Sequence, residues 1–183
     1  MRIRQFDGRD AEAVSALDSW AMRDAGTEPT DIPGHQDIER IDEVYLEDGG
    51  EFVVGVIDRS AAEGVGFDEC ASRLLETFDG CAVAMGGFLP SERGYADERA
   101  VADACELHRM RVAPPLQGQG YGINLLRELE SRATSSGYRR LVATTAKRQQ
   151  RAVAFYPAAG YEQVGESTYG EYELIHFEKL TRL

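Results

Sequence analysis

Apolar residues recur along this chain in two rhythms, every second position and every third or fourth, and the switches between them mark out strands and helices. The opening "RIRQF" alternates and predicts a strand. The next stretch, "DAEAVSALDSWAMRDAG", places Ala13, Ala16, Leu17 and Trp20 at helical spacing, closed by Gly26. "TEPTDIPGHQ" is rich in proline and glycine and predicts a loop. "DIERIDEVYLEDGG" puts Ile38, Ile41, Val44 and Tyr45 on one helical face, and "EFVVGVID" reads as a buried strand. In the segment that follows, Ala71, Leu74, Leu75 and Phe78 share helical spacing and predict a short helix before the next strand, "CAVAMGGFL".

The second half is more regular. "PSERGYADERAVAD" is a polar loop, and "ACELHRMRVAP" is a strand stopped by Pro114 and Pro115. "GINLLRELESRATSSG" aligns Gly122, Leu125, Leu126, Leu129 and Ala133 on one face, with Gly137 past its end, and predicts a helix. "YRRLVATT" predicts a strand, and "QQRAVAFYPAAG" a short helix with Ala152, Phe155, Tyr156 and Ala159 aligned. "YEQVG" and "YELIHFEKL" predict a closing strand pair. The order β α α β (α) β β α β α β β predicts an α/β (α+β) chain, one domain over residues 1–183. Strands joined directly pair antiparallel, and those joined through helices allow a mixed sheet.

Bulk properties narrow the classes of function. The chain's 183 residues and 43% hydrophobic content suit one globular domain with a real core. No apolar run reaches membrane-spanning length, and "MRIRQFDGRD" lacks a signal-peptide core, so the chain reads as soluble and cytoplasmic with no membrane partner. Cys70, Cys81 and Cys105 are odd in number and form no Cys-x-x-Cys pair, which argues against a disulfide framework. His35, His108 and His176 are scattered, and no metal site is expected. A net charge of −12 disfavours nucleic acid as a partner. Only Lys147 and Lys179 are lysines. Such an acidic surface reads as a solubility feature, or as a cleft for cationic amines.

One stretch stands out chemically. "LQGQGYG" sets Gly118, Gly120 and Gly122 at alternate positions between a predicted strand and a predicted helix. The first turn of a helix carries unpaired N–H groups and the positive end of the dipole. Glycines let a phosphate approach them. The alternative is a turn that only requires positive φ angles. A Walker loop needs a lysine that is absent here, and the dinucleotide fingerprint fails on spacing.

What fits is Gln/Arg-x-x-Gly-x-Gly/Ala, here Gln117, Gly120 and Gly122. On this motif and its flanks, "ELHRMRVAPPLQGQGYGINLLRELESRATSSGYRRLVATT" resembles the GNAT superfamily of N-acetyltransferases. "AVAFYPAAGYEQVG" is similar to the family's following helix and its end. The resemblance is strongest from about 104 to 166 and extends in outline over the whole chain. It implies a single-domain GNAT fold. That fold is a mixed, mostly antiparallel sheet of about seven strands flanked by helices, splayed between the family's fourth and fifth strands.

The resemblance further implies acetyl-CoA as cosubstrate, with no metal. Its pyrophosphate would rest on Gln117, Gly118, Gln119, Gly120, Tyr121 and Gly122. Its pantetheine arm would run along Met110, Arg111 and Val112 as an added strand. Gln149 stands where many members carry Asn. Tyr156 matches the tyrosine that protonates the departing sulfur; it reads otherwise as a buried aromatic beside Phe155. Glu106 lies where many members carry the general base, and otherwise reads as a polar strand residue. His108, two residues on and on the same side of a regular strand, is the second candidate base. Pro157 directly after Tyr156 and the long segment 59–79 depart from the family pattern. The expected reaction is direct acetyl transfer to a primary amine, from a small molecule or a protein, with a homodimer left open. The alternative is a non-catalytic acyl-CoA binding or sensing module, against which Glu106 and Tyr156 both speak.

Overall fold

The computed structural model describes residues 1–31, 33–47, 49–65 and 67–181, apart from the side chains of Asp31 and Cys70. In chain order, β1 (Arg2–Gln5) leads through a short 3-10 turn into α1 (Ala11–Asp24). Irregular helical turns follow, and then β2 (Glu51–Ile57), α2 (Arg59–Gly64), α3 (Glu69–Leu74) and the two-residue β3 (Glu76–Thr77). The second half comprises β4 (Gly80–Pro90), β5 (Ala104–Val112), α4 (Tyr121–Ser135), β6 (Arg140–Ala146), α5 (Gln150–Ala158), β7 (Glu162–Tyr169) and β8 (Tyr172–Leu180).

Among the described residues these strands form one sheet in the order β1-β2-β4-β5-β6-β8-β7, with β3 paired to β4 off that path. Every pairing is antiparallel except β5 with β6, whose connection runs through α4. The expected mixed, mostly antiparallel sheet is what forms, with β3 added as a small hairpin strand.

The sheet is covered on both faces. Along β2, Phe52, Val54 and Val56 pack with Leu17 of α1, with Ile41 and with Tyr45, whereas Val53 packs on the other side with Leu125, Leu126 and Leu129 of α4. The two-residue period of the strand therefore feeds two cores, as the unbroken apolar run predicts. Each fully buried leucine of α4 contributes about 1.5–3 kcal/mol.

Two elements differ from the sequence pattern. The stretch from His35 to Leu46 is a 3-10 helix (His35–Arg40) followed by a π turn (Asp42–Leu46), rather than one α-helix. Ile38, Ile41 and Tyr45 are still buried, because the face they share is what the core requires. The helix expected to carry Leu74, Leu75 and Phe78 stops at Leu74. Only Leu75 is buried, while Leu74 and Phe78 are exposed. Phe78 sits in the hairpin between β3 and β4, under the guanidinium groups of Arg4 and Arg9, at 4.3 and 3.8 Å from its ring centre. In the segment 59–79, Ala62, Phe67 and Leu75 pack in the core on the α1 side, where Phe67 meets the Trp20 ring edge-on. Cys81 and Cys105 are buried.

Candidate active site

The site begins with an irregularity in β5. Its parallel ladder with β6 runs from Ala104–Arg140 to Glu106–Val142 and then stops, although both strands continue. Three residues later Arg109 adopts a φ of 53°, and the ladder to β4 slips: Gly87 faces His108, but Met85 faces Arg111. One extra residue on β5 is a β-bulge, which bends the strand and raises its twist. It also turns consecutive side chains to one side. His108 and Arg109 both reach the segment around Asp37 and Tyr45, where a regular strand would point them apart.

At the far end of β5 the chain passes through a 3-10 turn (Pro114–Leu116) into the glycine stretch. Gly118 and Gly120 have φ of 75° and 88°, so the positive-φ requirement is real at these two positions. Gly122 lies within the first turn of α4, where a Cβ would meet Phe155 and Val112 at ordinary contact distance. A Cβ on Gly118 or Gly120 would meet nothing within 4 Å. Among the described residues, no carbonyl accepts from the N–H of Gly118, Gln119 or Gly120. Three N–H groups without a backbone acceptor thus stand at the positive end of a 15-residue helix. Gln117 donates its amide to the Val112 carbonyl at 3.2 Å and accepts from Arg151. Gln119 donates to the Pro115 carbonyl at 2.9 Å, and Arg111 to the Met110 carbonyl at 3.2 Å while pairing with Asp18 at 2.9 Å.

At the other end of the gap a cleft opens between β5 and β6. It is lined by His108, Tyr95, Asp97, Glu98, Thr144 and Gln149, with Tyr169, Tyr172 and Arg148 at its mouth. Glu106 and His108 are buried and share a neighbour, Glu98. Burial, then the charge of Glu98, lifts the Glu106 carboxyl well above the usual carboxylate range, against opposing hydrogen bonds from Thr144. Its Oε1 is buried without a partner. Asp97 is raised for the same two reasons. Burial, then Glu106, pushes the Tyr156 phenol up, so it holds its proton. The Tyr156 ring stacks on Phe177 at 5.3 Å and meets Phe155 and Tyr161 edge-on. Pro157 sits inside the last turn of α5, where its missing N–H costs a single bond, and Tyr156 remains helical. Gln149 caps α5 and accepts from the Thr145 hydroxyl at 3.2 Å. Burial lowers His176, whose ring nitrogens lie 3.1 Å from the Thr144 hydroxyl and 2.8 Å from that of Ser167.

Of the predicted residues, Gln117 to Gly122 lie in the glycine turn, His108, Arg111 and Gln149 line the cleft, and Glu106 and Tyr156 are buried and do not line it. Sequence reasoning missed Asp37, Tyr45, Tyr95, Glu98 and Arg151. They lie in segments read as loop or as helix, and no local motif marks them. Among the described residues no three His, Cys, Asp or Glu side chains gather as a metal would need, and no helix is long and apolar enough to cross a membrane.

Against this geometry the comparisons are specific. A model of the acetyltransferase (GNAT) family matches residues 41–161. No curated protein matches the sequence. Among solved structures, a GNAT-family acetyltransferase from Staphylococcus aureus Mu50 superposes with a TM-score of 0.71 at 13% identity, over 98% of each chain. A ribosomal-protein-alanine N-acetyltransferase from Brucella melitensis gives 0.67 at 20% identity, over 99% of this chain and 100% of that one. An aminoglycoside 6'-N-acetyltransferase complexed with coenzyme A gives 0.63 at 17% identity, over 98% and 97%. At these identities the likeness is one of fold.

Proposed function

The chain belongs to the acetyltransferase (GNAT) family, and from that premise we propose that it is an N-acetyltransferase moving an acetyl group from acetyl-CoA to a primary amine. The observation that carries this reading is the parting of β5 from β6, with an open glycine cradle at one end and buried proton-exchanging groups at the other. When bound, acetyl-CoA supplies an activated thioester.

The residues present suit it. Gln117 to Gly122 offer backbone donors to a pyrophosphate, and the exposed Arg151 stands beside them. Met110 and Val112 each keep a carbonyl lone pair beyond the one taken by Arg111 and Gln117, so both can hydrogen-bond an extended arm. Tyr156 is buried and protonated, so it has a proton to supply to a departing sulfur.

On the acceptor side, the Glu98 carboxyl lies beside His108 in the cleft, which suits an amine that arrives as its ammonium. That ammonium must lose a proton before its nitrogen can attack. His108 lines the cleft and its Nε2 lies 3.3 Å from Glu98 Oε1, whereas Glu106 is buried off the cleft lining, so Nε2 is the better placed acceptor. The test is release of free thiol from acetyl-CoA across a panel of small amines, amino acids and peptide amines. Release with at least one amine is expected. Coenzyme A binding with no release from any amine would point instead to a non-catalytic binding module.

A further inference from the structure

The His108 ring is held by a network that decides which of its nitrogens carries the proton. Asp37, buried in the 3-10 helix before β2, accepts from the Tyr45 hydroxyl at 2.6 Å, the Tyr95 hydroxyl at 2.7 Å and Arg109 Nε at 3.0 and 3.1 Å, and pairs with Arg109 Nη2 at 2.9 Å. A phenol has one proton to give. At 2.6 Å two oxygens need a hydrogen between them, so the Tyr45 proton is committed to Asp37. Burial, then the charge of Asp37, raises the Tyr45 phenol well above its ordinary range, so it does not ionise. The Tyr45 oxygen also lies 3.2 Å from His108 Nδ1. It can only accept there, and Nδ1 must be the N–H. The neutral ring then has its lone pair on Nε2, which is buried without a hydrogen-bond partner and lies 3.3 Å from Glu98 Oε1 in the cleft, ready to pair with it once protonated. Gly87, opposite His108 on β4, makes room for this seating: a Cβ there would come within 3.1 Å of the Tyr45 ring and 2.5 Å of the Glu51 carbonyl.

We infer that Asp37 and Tyr45 are positioning residues that lock His108 in its Nδ1–H tautomer, so that Nε2 takes the proton of the incoming amine. The inference rests on the acetyl-transfer reading for its purpose and on the distances above for its geometry. In the step, an ammonium N–H bond breaks, its electron pair stays on the amine nitrogen, and the proton forms a bond to Nε2. The resulting imidazolium is held by Glu98 on one nitrogen and by Tyr45 on the other. The charged and titratable groups facing the ring are Tyr45 from the π turn, Tyr95, Asp97 and Glu98 from the loop before β5, and Glu106 and Arg109 from β5 itself.

The experiment is nitrogen-15 NMR of the imidazole rings in the full chain, with His108 identified by loss of its signals in His108→Gln. During titration to alkaline pH, Nε2 is expected to lose its proton and move downfield while Nδ1 stays protonated. A ring that deprotonates at Nδ1 overturns the inference, and this outcome needs no variant. Tyr45→Phe keeps the buried ring but removes the oxygen, and the downfield signal is expected to move from Nε2 to Nδ1. Tyr95→Phe, which removes another partner of Asp37, should leave the tautomer unchanged. A Tyr45→Phe spectrum identical to wild type counts against the lock. Failure of thiol release with every amine would instead overturn the transferase reading and leave the tautomer result standing.

Discussion

At the residue scale the chemistry rests on side chains whose protons are held by burial. Tyr156→Phe should lower turnover by about 100-fold, the low end for a lost general acid, while coenzyme A affinity is retained. Equal turnover in the two proteins, read by thiol release, would reduce Tyr156 to a packing residue. Glu106 makes a prediction about stability and pH. Its folded carboxyl is raised, so the native state binds a proton that the unfolded chain releases. The stability this contributes is full below the ordinary carboxylate range. It is lost as pH rises from that range through the folded value, by about 1.4 kcal/mol per pH unit. Glu106→Gln should flatten this limb in thermal denaturation followed against pH. An unchanged slope would place the titration elsewhere. Glu106 and Tyr156 were candidates because the family resemblance marks their positions, and His108 because it stands two residues beyond Glu106 on the same strand. Asp37, Tyr45 and Glu98 were not, since their partners lie far along the chain, 72 residues away for Asp37 and Arg109.

At the element scale the cradle joins a backbone requirement to an electrostatic one. Gly120 precedes α4 with a φ of 88° and open space above it. Gly120→Ala should cost about 1–2 kcal/mol of stability, because an L-residue is strained there, and leave coenzyme A binding measurable. Gly120→Glu should abolish that binding by setting a negative charge among the free N–H groups. Calorimetric titration of both variants separates the effects, and unchanged affinity in the Glu variant would sink the cradle assignment. Helix α4 was readable because its leucines repeat at the helical period and meet a sheet that needs them. The helix expected to carry Phe78 fails for a physical reason. Spacing alone does not bury a residue: Asp79 and Gly80 turn the chain into the β3–β4 hairpin, and Phe78 is left under two arginines.

At the scale of the whole molecule, binding and the buried ion pair should both register as global stability. A ligand that occupies the cradle at 100 times its Kd should add about 2.7 kcal/mol, seen as a rise in Tm with acetyl-CoA. No rise at saturating concentration would remove acetyl-CoA as the donor. Asp37→Ala would leave Arg109 buried without its partner and should cost about 3–5 kcal/mol in denaturant unfolding. By itself the sequence determined the order of elements, the two-faced burial of the central strands and the positive-φ glycine turn before α4. These follow from periodicity and backbone sterics, which act between residues near one another in the chain. Only the tertiary structure decided the bulge at Arg109, the parting of β5 from β6 and the meeting of Asp37, Tyr45, Glu98 and His108. Those depend on ladder register and on pairs made across the sheet, where the energy of a contact is set by which distant segment arrives and not by the residues beside it.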